Sequence, residues 1–213
     1  ETIADIEVID TSFESCCGMI AELALESGLR LNPLAAKSLY TGMVTDSGRF
    51  RYDGVSGETM RCAGVLLDVG VDTQTLFARL YLEAFEYLKF KSAIYERMQI
   101  TPNGVAWSFV DKAMQQEFNL TLEQASATVG TLDSIRGCIC WVAFIENGDE
   151  QESIRVRLRS RFVHINSVAE KYRGGGHACA SGATVYGREE MEQLLADTDA
   201  LVKEYKETHE EWL

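Results

Sequence analysis

The stretch GCICWVAFIENGDEQESIRVRLRSR, residues 137–161, carries two different patterns on either side of one turn. Its first half is an apolar run rich in β-forming residues, ending in Asn147 and Gly148, which mark a reversal of the chain. Its second half alternates strictly. Side chains along a strand alternate between faces, so Arg155, Arg157, Arg159 and Arg161 fall on one face while Val156 and Leu158 turn to a core. The two halves predict a β-hairpin with a basic stripe along one arm.

Outward from this hairpin toward the carboxy terminus, HINSVAEKY predicts a short helix, GGGH follows, SGATVYG supplies a last strand, and residues 188–213 read as a closing helix. On the other side, ITPNGVAWSFVD looks like a hairpin arm with its turn at Pro102, Asn103 and Gly104, followed by a short helix and the segment TLEQASATVGTL. Before Met98 the pattern is helical. Met19, Ile20, Leu23 and Ala24 recur at helical spacing and stop near Gly28, and Asn32 and Pro33 fit the cap and first residue of a second helix. Residues 56–69 and 73–98 predict two more helices, the latter long enough to link two domains. The expected class is therefore α/β: a largely helical part over 1–72, a long linker helix over 73–98, and a smaller α+β domain with a mixed sheet over 99–213. No internal repeat or low-complexity tract interrupts this order.

The chain has 213 residues, with 20 Lys and Arg against 33 Asp and Glu, a net charge of −13. Broad capture of long nucleic acid does not fit that balance. No apolar run reaches the length of a membrane helix, and the amino terminus is neither basic nor apolar enough for a secretory signal, so the chain reads as cytoplasmic without a membrane partner. Six cysteines show no CxxC spacing, and reduced, mostly buried thiols are expected. The chain begins at Glu1, which suggests a processed or truncated product.

Against the acidic total stands a positive island. Residues 155–177 hold six cationic side chains, the four arginines with Lys171 and Arg173, against Glu170 alone, a local balance of +5. Arginine's planar fork suits phosphate oxygens. Gly174, Gly175 and Gly176 lack β-carbons, so their backbone N–H groups could cradle an anion, with His177 as an added donor and Ser181 extending the cradle. The same residues also fit a solvated strand face, a tight turn and a structural histidine. In TDSGRF, Asp46 is one oxygen donor for a hard divalent cation, or an Asx turn capping its own backbone.

GGGHACASGA, preceded by RSRFVHINSVAEKY, together with TDSGRFRY resembles the DHH superfamily of phosphoesterases, in the branch that degrades nanoRNA and dephosphorylates adenosine 3′,5′-bisphosphate. The resemblance implies that 1–72 is the carboxy-terminal part of a DHH catalytic domain and 99–213 a DHH-associated substrate-binding domain. It implies two metal ions, usually Mn²⁺, with Asp46 as a ligand. It also implies a substrate-holding set of Arg159, Ser160, Arg161, Asn166, Gly174, Gly175, Gly176, His177 and Ser181. The early aspartate motif and the Asp-His-His triplet of that family are absent from the chain, so a complete metal centre and activity of this chain alone are not expected. The expected partners are short oligonucleotides or a mononucleotide bisphosphate, with a homodimer left open. A cyclic dinucleotide phosphodiesterase, a nucleotide-binding module without hydrolysis and a protein-interaction domain are the alternatives.

Overall fold

The computed structural model describes residues 4–52 and 54–209, which form two compact units dividing between Leu82 and Glu83. The first unit is helical, with α1 (Cys16–Glu26), α2 (Pro33–Asp46), α3 (Gly57–Asp68) and α4 (Thr73–Tyr81). Each start is fixed by a side chain that accepts an otherwise unpaired amide: Ser15, Asn32, Ser56 and Asp72 take the N–H groups of Gly18, Ala35, Thr59 and Thr75. The cap at Asn32 and Pro33 is the one the sequence predicts. Ala21, Ala36, Tyr40, Met43, Val44, Cys62, Ala63, Leu66 and Leu76 make this unit's core.

The second unit begins with α5 (Phe85–Arg97) and is organised by a six-stranded mixed sheet of order β1-β2-β3-β4-β6-β5. The strands are β1 (Gln99–Ile100), β2 (Val105–Val110), β3 (Cys140–Glu146), β4 (Ser153–Ser160), β5 (Gly175–His177) and β6 (Ala180–Tyr186). The hairpin read from residues 137–161 is β3 and β4, antiparallel, with Ala143 opposite Arg157. Strands β2 and β3 are parallel, and the crossover that parallel pairing requires holds α6 (Lys112–Glu117), α7 (Leu122–Ser126) and a 3₁₀ turn over Ala127–Leu132. Helices α8 (Asn166–Lys171) and α9 (Gly187–Thr208) complete the unit. The closing helix expected to reach Leu213 is observed to Thr208, and residues 210–213 lie outside the described residues.

Alternation assigns the two faces of the sheet. Val105, Val142, Phe144, Val156, Leu158 and Val185 share a core with Val168, Met191, Leu194 and Val202 of α8 and α9. The opposite face is covered only in part. There Ala106, Val110, Trp141, Ala143 and Ile145 of β2 and β3 pack on Phe90, Ile94, Met114, Ala125 and Leu132. Further along the same face, over β4, β6 and β5, the pleat carries Arg155, Arg157, Arg159, Ala180, Gly182 and Thr184, all half-buried. This half of the face is left partly exposed by the fold.

The single helix predicted over 73–98 is not found. Leu82 and Ala84 adopt extended backbone angles and separate α4 from α5. No proline or glycine marks the break, and the apolar positions on its two sides serve different cores: Leu76 packs in the first unit, Phe90 and Ile94 in the second. All six cysteines are free; Cys62, Cys138 and Cys140 are buried, whereas Cys16 is exposed. No helix among the described residues is long and apolar enough to cross a membrane.

Candidate functional site: an arginine floor on the open sheet face

The register across three strands brings the basic stripe and the glycine segment together. Arg159 of β4 is opposite Ala180 of β6, which is opposite His177 of β5. One step along, Arg157, Gly182 and Gly175 form the next row. The small residues of β6 form a low strip between the arginines and β5. Arg159 Nη1 donates to the carbonyls of Leu158 at 2.8 Å and Ser181 at 3.3 Å, so its guanidinium lies along the sheet. The side chain of His177 is exposed and has no protein partner among the described residues.

The glycines are not a nest of free amides, as the sequence suggests. The Gly174 amide donates to the Ala169 carbonyl at 3.0 Å, and residues 175–177 pair as an edge strand with β6. Strand β6 also intervenes between them and the arginines of β4. Two of the three glycines are required by packing. A β-carbon at Gly174 would lie 2.0 Å from the Gly182 carbonyl oxygen, and one at Gly176, where φ is +141°, would lie 2.7 Å from the Ala180 oxygen. Gly175 is different: a β-carbon there meets nothing within 4 Å, because it would point into the open face.

The remaining predicted residues take supporting places. Ser160 and Ser181 lie on the buried face, where Ser160 Oγ donates to the Val163 carbonyl and Ser181 Oγ to the His177 carbonyl at 2.9 Å. They shape the turns on either side of the floor rather than facing it. Arg161 bends away, donates to the carbonyls of Cys138 at 3.2 Å and of Asp133, and lies over the Trp141 ring at 5.0 Å. Asn166, half-buried, opens α8; the adjoining Ile165 amide donates to the Ala178 carbonyl at 2.8 Å, which keeps Asn166 beside the turn after His177. Of the predicted set, Arg159, Gly175 and His177 face the floor together. Thr184 was missed, although alternation through SGATVY assigns it to the face of Gly182.

Tyr172 anchors the entry to the glycine segment. Its hydroxyl donates to the Asp197 carboxylate at 2.9 Å and its carbonyl accepts from the Thr184 amide at 3.0 Å. Burial pushes the phenol up to about 12, and the hydrogen bond to Asp197 acts in the same direction. A raised phenol disfavours ionisation in the folded state, so this contribution is complete below about pH 10 and is lost as the pH rises toward 12. Tyr172→Phe is expected to flatten the alkaline loss of stability, read as the urea midpoint between pH 9 and 11.5.

Asp46 belongs to the other unit, where it is the exposed last residue of α2. It does not close its own turn. Ser47 does so, accepting from the Phe50 amide at 2.8 Å and donating to the Met43 carbonyl. Gly48, Arg49 and Phe50 then run left-handed at φ values of +57°, +64° and +59°, a conformation that costs about 1–2 kcal/mol for each residue bearing a β-carbon. Among the described residues no group of three or more His, Cys, Asp or Glu side chains is arranged to hold a metal ion. One exposed carboxylate does not fit the several oxygen ligands that a hard divalent cation requires.

Residues 95–204 match the DHHA1 domain. The chain belongs to the DHHA1-domain family. This DHHA1-domain chain is 39% identical over 205 residues to the bifunctional oligoribonuclease and PAP phosphatase NrnA of Bacillus subtilis, covering 95% of the chain and 64% of that protein. It is 33% identical over 199 residues to a probable enzyme of the same name from Streptococcus mutans, covering 93% of the chain and again 64% of the relative. The chain thus spans less than two thirds of the length of these relatives. An exopolyphosphatase-related protein from Bacteroides fragilis shares the fold, with a TM-score of 0.84 at 24% identity over 99% of this chain and 62% of that one. The arginine floor lies wholly inside the DHHA1 match.

Proposed function

We propose that this chain is the substrate-holding part of a phosphoesterase that hydrolyses short oligoribonucleotides and adenosine 3′,5′-bisphosphate. The observation that carries the reading is the row Arg159–Ala180–His177 on the uncovered half of the sheet. A guanidinium and an imidazole on one face, with only a methyl side chain between them, can take a terminal phosphate from two sides. The relatives named as oligoribonuclease and PAP phosphatase support that choice of substrate. The local +5 within a −13 chain favours ligands with few phosphates, since a long strand would meet repulsion outside the island.

In this reading the residues of the chain bind and orient. Arg159 holds the terminal phosphate, His177 hydrogen-bonds it from the strand edge, and Ser160 and Ser181 fix the turns that position them. The two Mn²⁺ ions implied by the resemblance do not fit the donors described, so no step is routed through them. Asp46 by itself would supply a single oxygen ligand, too few to hold a hard divalent cation. Weak or undetectable Mn²⁺ affinity is expected for this chain.

Calorimetry with adenosine 3′,5′-bisphosphate tests the reading directly. Binding is expected, weakening roughly tenfold between 50 and 200 mM salt if two to three phosphate charges are neutralised. His177→Ala is expected to weaken it several-fold more. Wild-type affinity in that variant would remove the histidine from the site.

A further inference from the structure

We propose that residues 73–98 form a two-state linker, in which an ion pair between Glu83 and Lys91 clasps the broken form and its release lets α4 and α5 run together as one helix. The device is separate from the arginine floor and does not rest on the function proposed above. What it controls is the stiffness of the connection between the two units.

The break falls where local sequence gives no reason for one. Leu82, Glu83 and Ala84 are good helix formers, yet Leu82 and Ala84 hold extended angles at φ −74°, ψ 133° and φ −63°, ψ 145°. The start of α5 also lacks the side-chain cap that opens each of α1–α4. As a result, the amides of Glu83, Ala84, Phe85 and Glu86 have no protein acceptor among the described residues. In a continuous helix they would donate to the carbonyls of Arg79, Leu80, Tyr81 and Leu82, one turn back. The exposed side chains of Tyr81, Phe85, Leu88 and Tyr95 recur at helical spacing across the break, so one helix would carry them as a single stripe.

The broken form is held by a contact that only it can make. Lys91 Nζ donates to both carboxylate oxygens of Glu83 at 2.6 Å and lies 5.3 Å from the centre of the Tyr87 ring. The Lys91 and Glu83 side chains are 28% and 33% exposed, so the pair is screened less than one on an open surface. Eight residues of helix set two Cα atoms about 12 Å apart and on different faces, so a continuous helix separates the pair. Neither core opposes the change: Leu76 lies a full turn or more before the break and Phe90 a full turn or more after it, each packed within its own unit. The two forms therefore exchange one sheltered ion pair for one turn of backbone hydrogen bonds, and removal of a single charge tips the exchange.

The test reads the backbone of residues 82–86 by NMR on the full, isotope-labelled chain at low salt, in the unmodified protein and in Glu83→Gln and Lys91→Met. The unmodified chain is expected to give extended Cα shifts at Leu82 and Ala84 and fast amide exchange over 83–86. Each variant should turn those Cα shifts helical and slow the exchange by about tenfold or more, because hydrogen-bonded amides resist exchange. Sodium chloride at about 1 M should do the same to the unmodified chain and add nothing to Glu83→Gln. The exchanged pair, Glu83→Lys with Lys91→Glu, should restore the broken form. So should Ala84→Pro added to Glu83→Gln, since the Ala84 φ of −63° is one that proline holds and its amide has no acceptor to lose. Unchanged amide shifts in β3 and β4 show that the response is local rather than a loss of fold. Extended shifts retained in either single variant, or failure of the exchanged pair to restore them, would overturn the clasp. Helical shifts in the unmodified chain at low salt would overturn it as well.

Discussion

Replacing Gly174 by alanine is expected to cost about 3 kcal/mol of stability, at the upper end of what overpacking usually costs. The new methyl would lie 2.0 Å from the Gly182 oxygen, 2.7 Å from the Ala183 Cα and 2.9 Å from the Ala169 oxygen. All three are backbone atoms, which cannot rotate aside as a side chain would. Relief requires β5 to part from β6, or α8 to shift, and either breaks the hydrogen bond from the Gly174 amide to Ala169. Gly175→Ala should fall within about 0.5 kcal/mol of the unmodified protein, or gain slightly through the stiffer unfolded chain. Urea unfolding followed by tryptophan fluorescence distinguishes the two, since Trp107 and Trp141 both belong to the sheet. Equal midpoints for the two variants would mean that the glycines are not required by packing in the way described.

The second large effect is on binding. Arg159→Ala is expected to weaken adenosine 3′,5′-bisphosphate by about 10- to 100-fold, the usual range for losing a charge-assisted hydrogen bond. Because Arg159 also ties β4 to β6 through the Ser181 carbonyl, part of that loss could reflect a looser sheet. Arg159→Lys separates the contributions: it keeps the charge but loses the fork, and should recover only part of the affinity. Unchanged affinity in Arg159→Ala would remove the residue from the site.

Much of the fold is legible in local patterns. Strict alternation in ESIRVRLRS gives both the strand and its two faces, and Asn147–Gly148 gives the reversal before it. Asn32 and Pro33 announce the start of α2. What the sequence conceals is long-range. Nothing local states that β6 inserts between β4 and β5, and that insertion turns three glycines from an anion cradle into a paired edge strand. The break at 82–84 has no proline or glycine; it arises because flanking apolar residues serve different cores. Likewise Gly48 announces a turn, but the left-handed angles of Arg49 and Phe50 depend on Ser47 hydrogen bonds that no propensity encodes.

The same limit applies to the site. The arginine stripe is visible as a period of two, yet the four side chains take different tasks. Arg161 is drawn to the carbonyls of Asp133 and Cys138, residues distant in sequence, while Arg157 has no hydrogen bond or ion pair among the described residues. Ser160 and Ser181, read as binding groups from the motif, turn to the buried face because each is one residue out of phase with the arginines.

The most direct test of the arginine floor is an NMR titration of the labelled chain with adenosine 3′,5′-bisphosphate, following each backbone amide. The account predicts that the largest shifts fall at Gly175, His177, Ala180 and Gly182, with Arg157 and Arg159 moving alongside them. Shifts concentrated on the α8–α9 face of the sheet, or within the helical unit before Leu82, would contradict it.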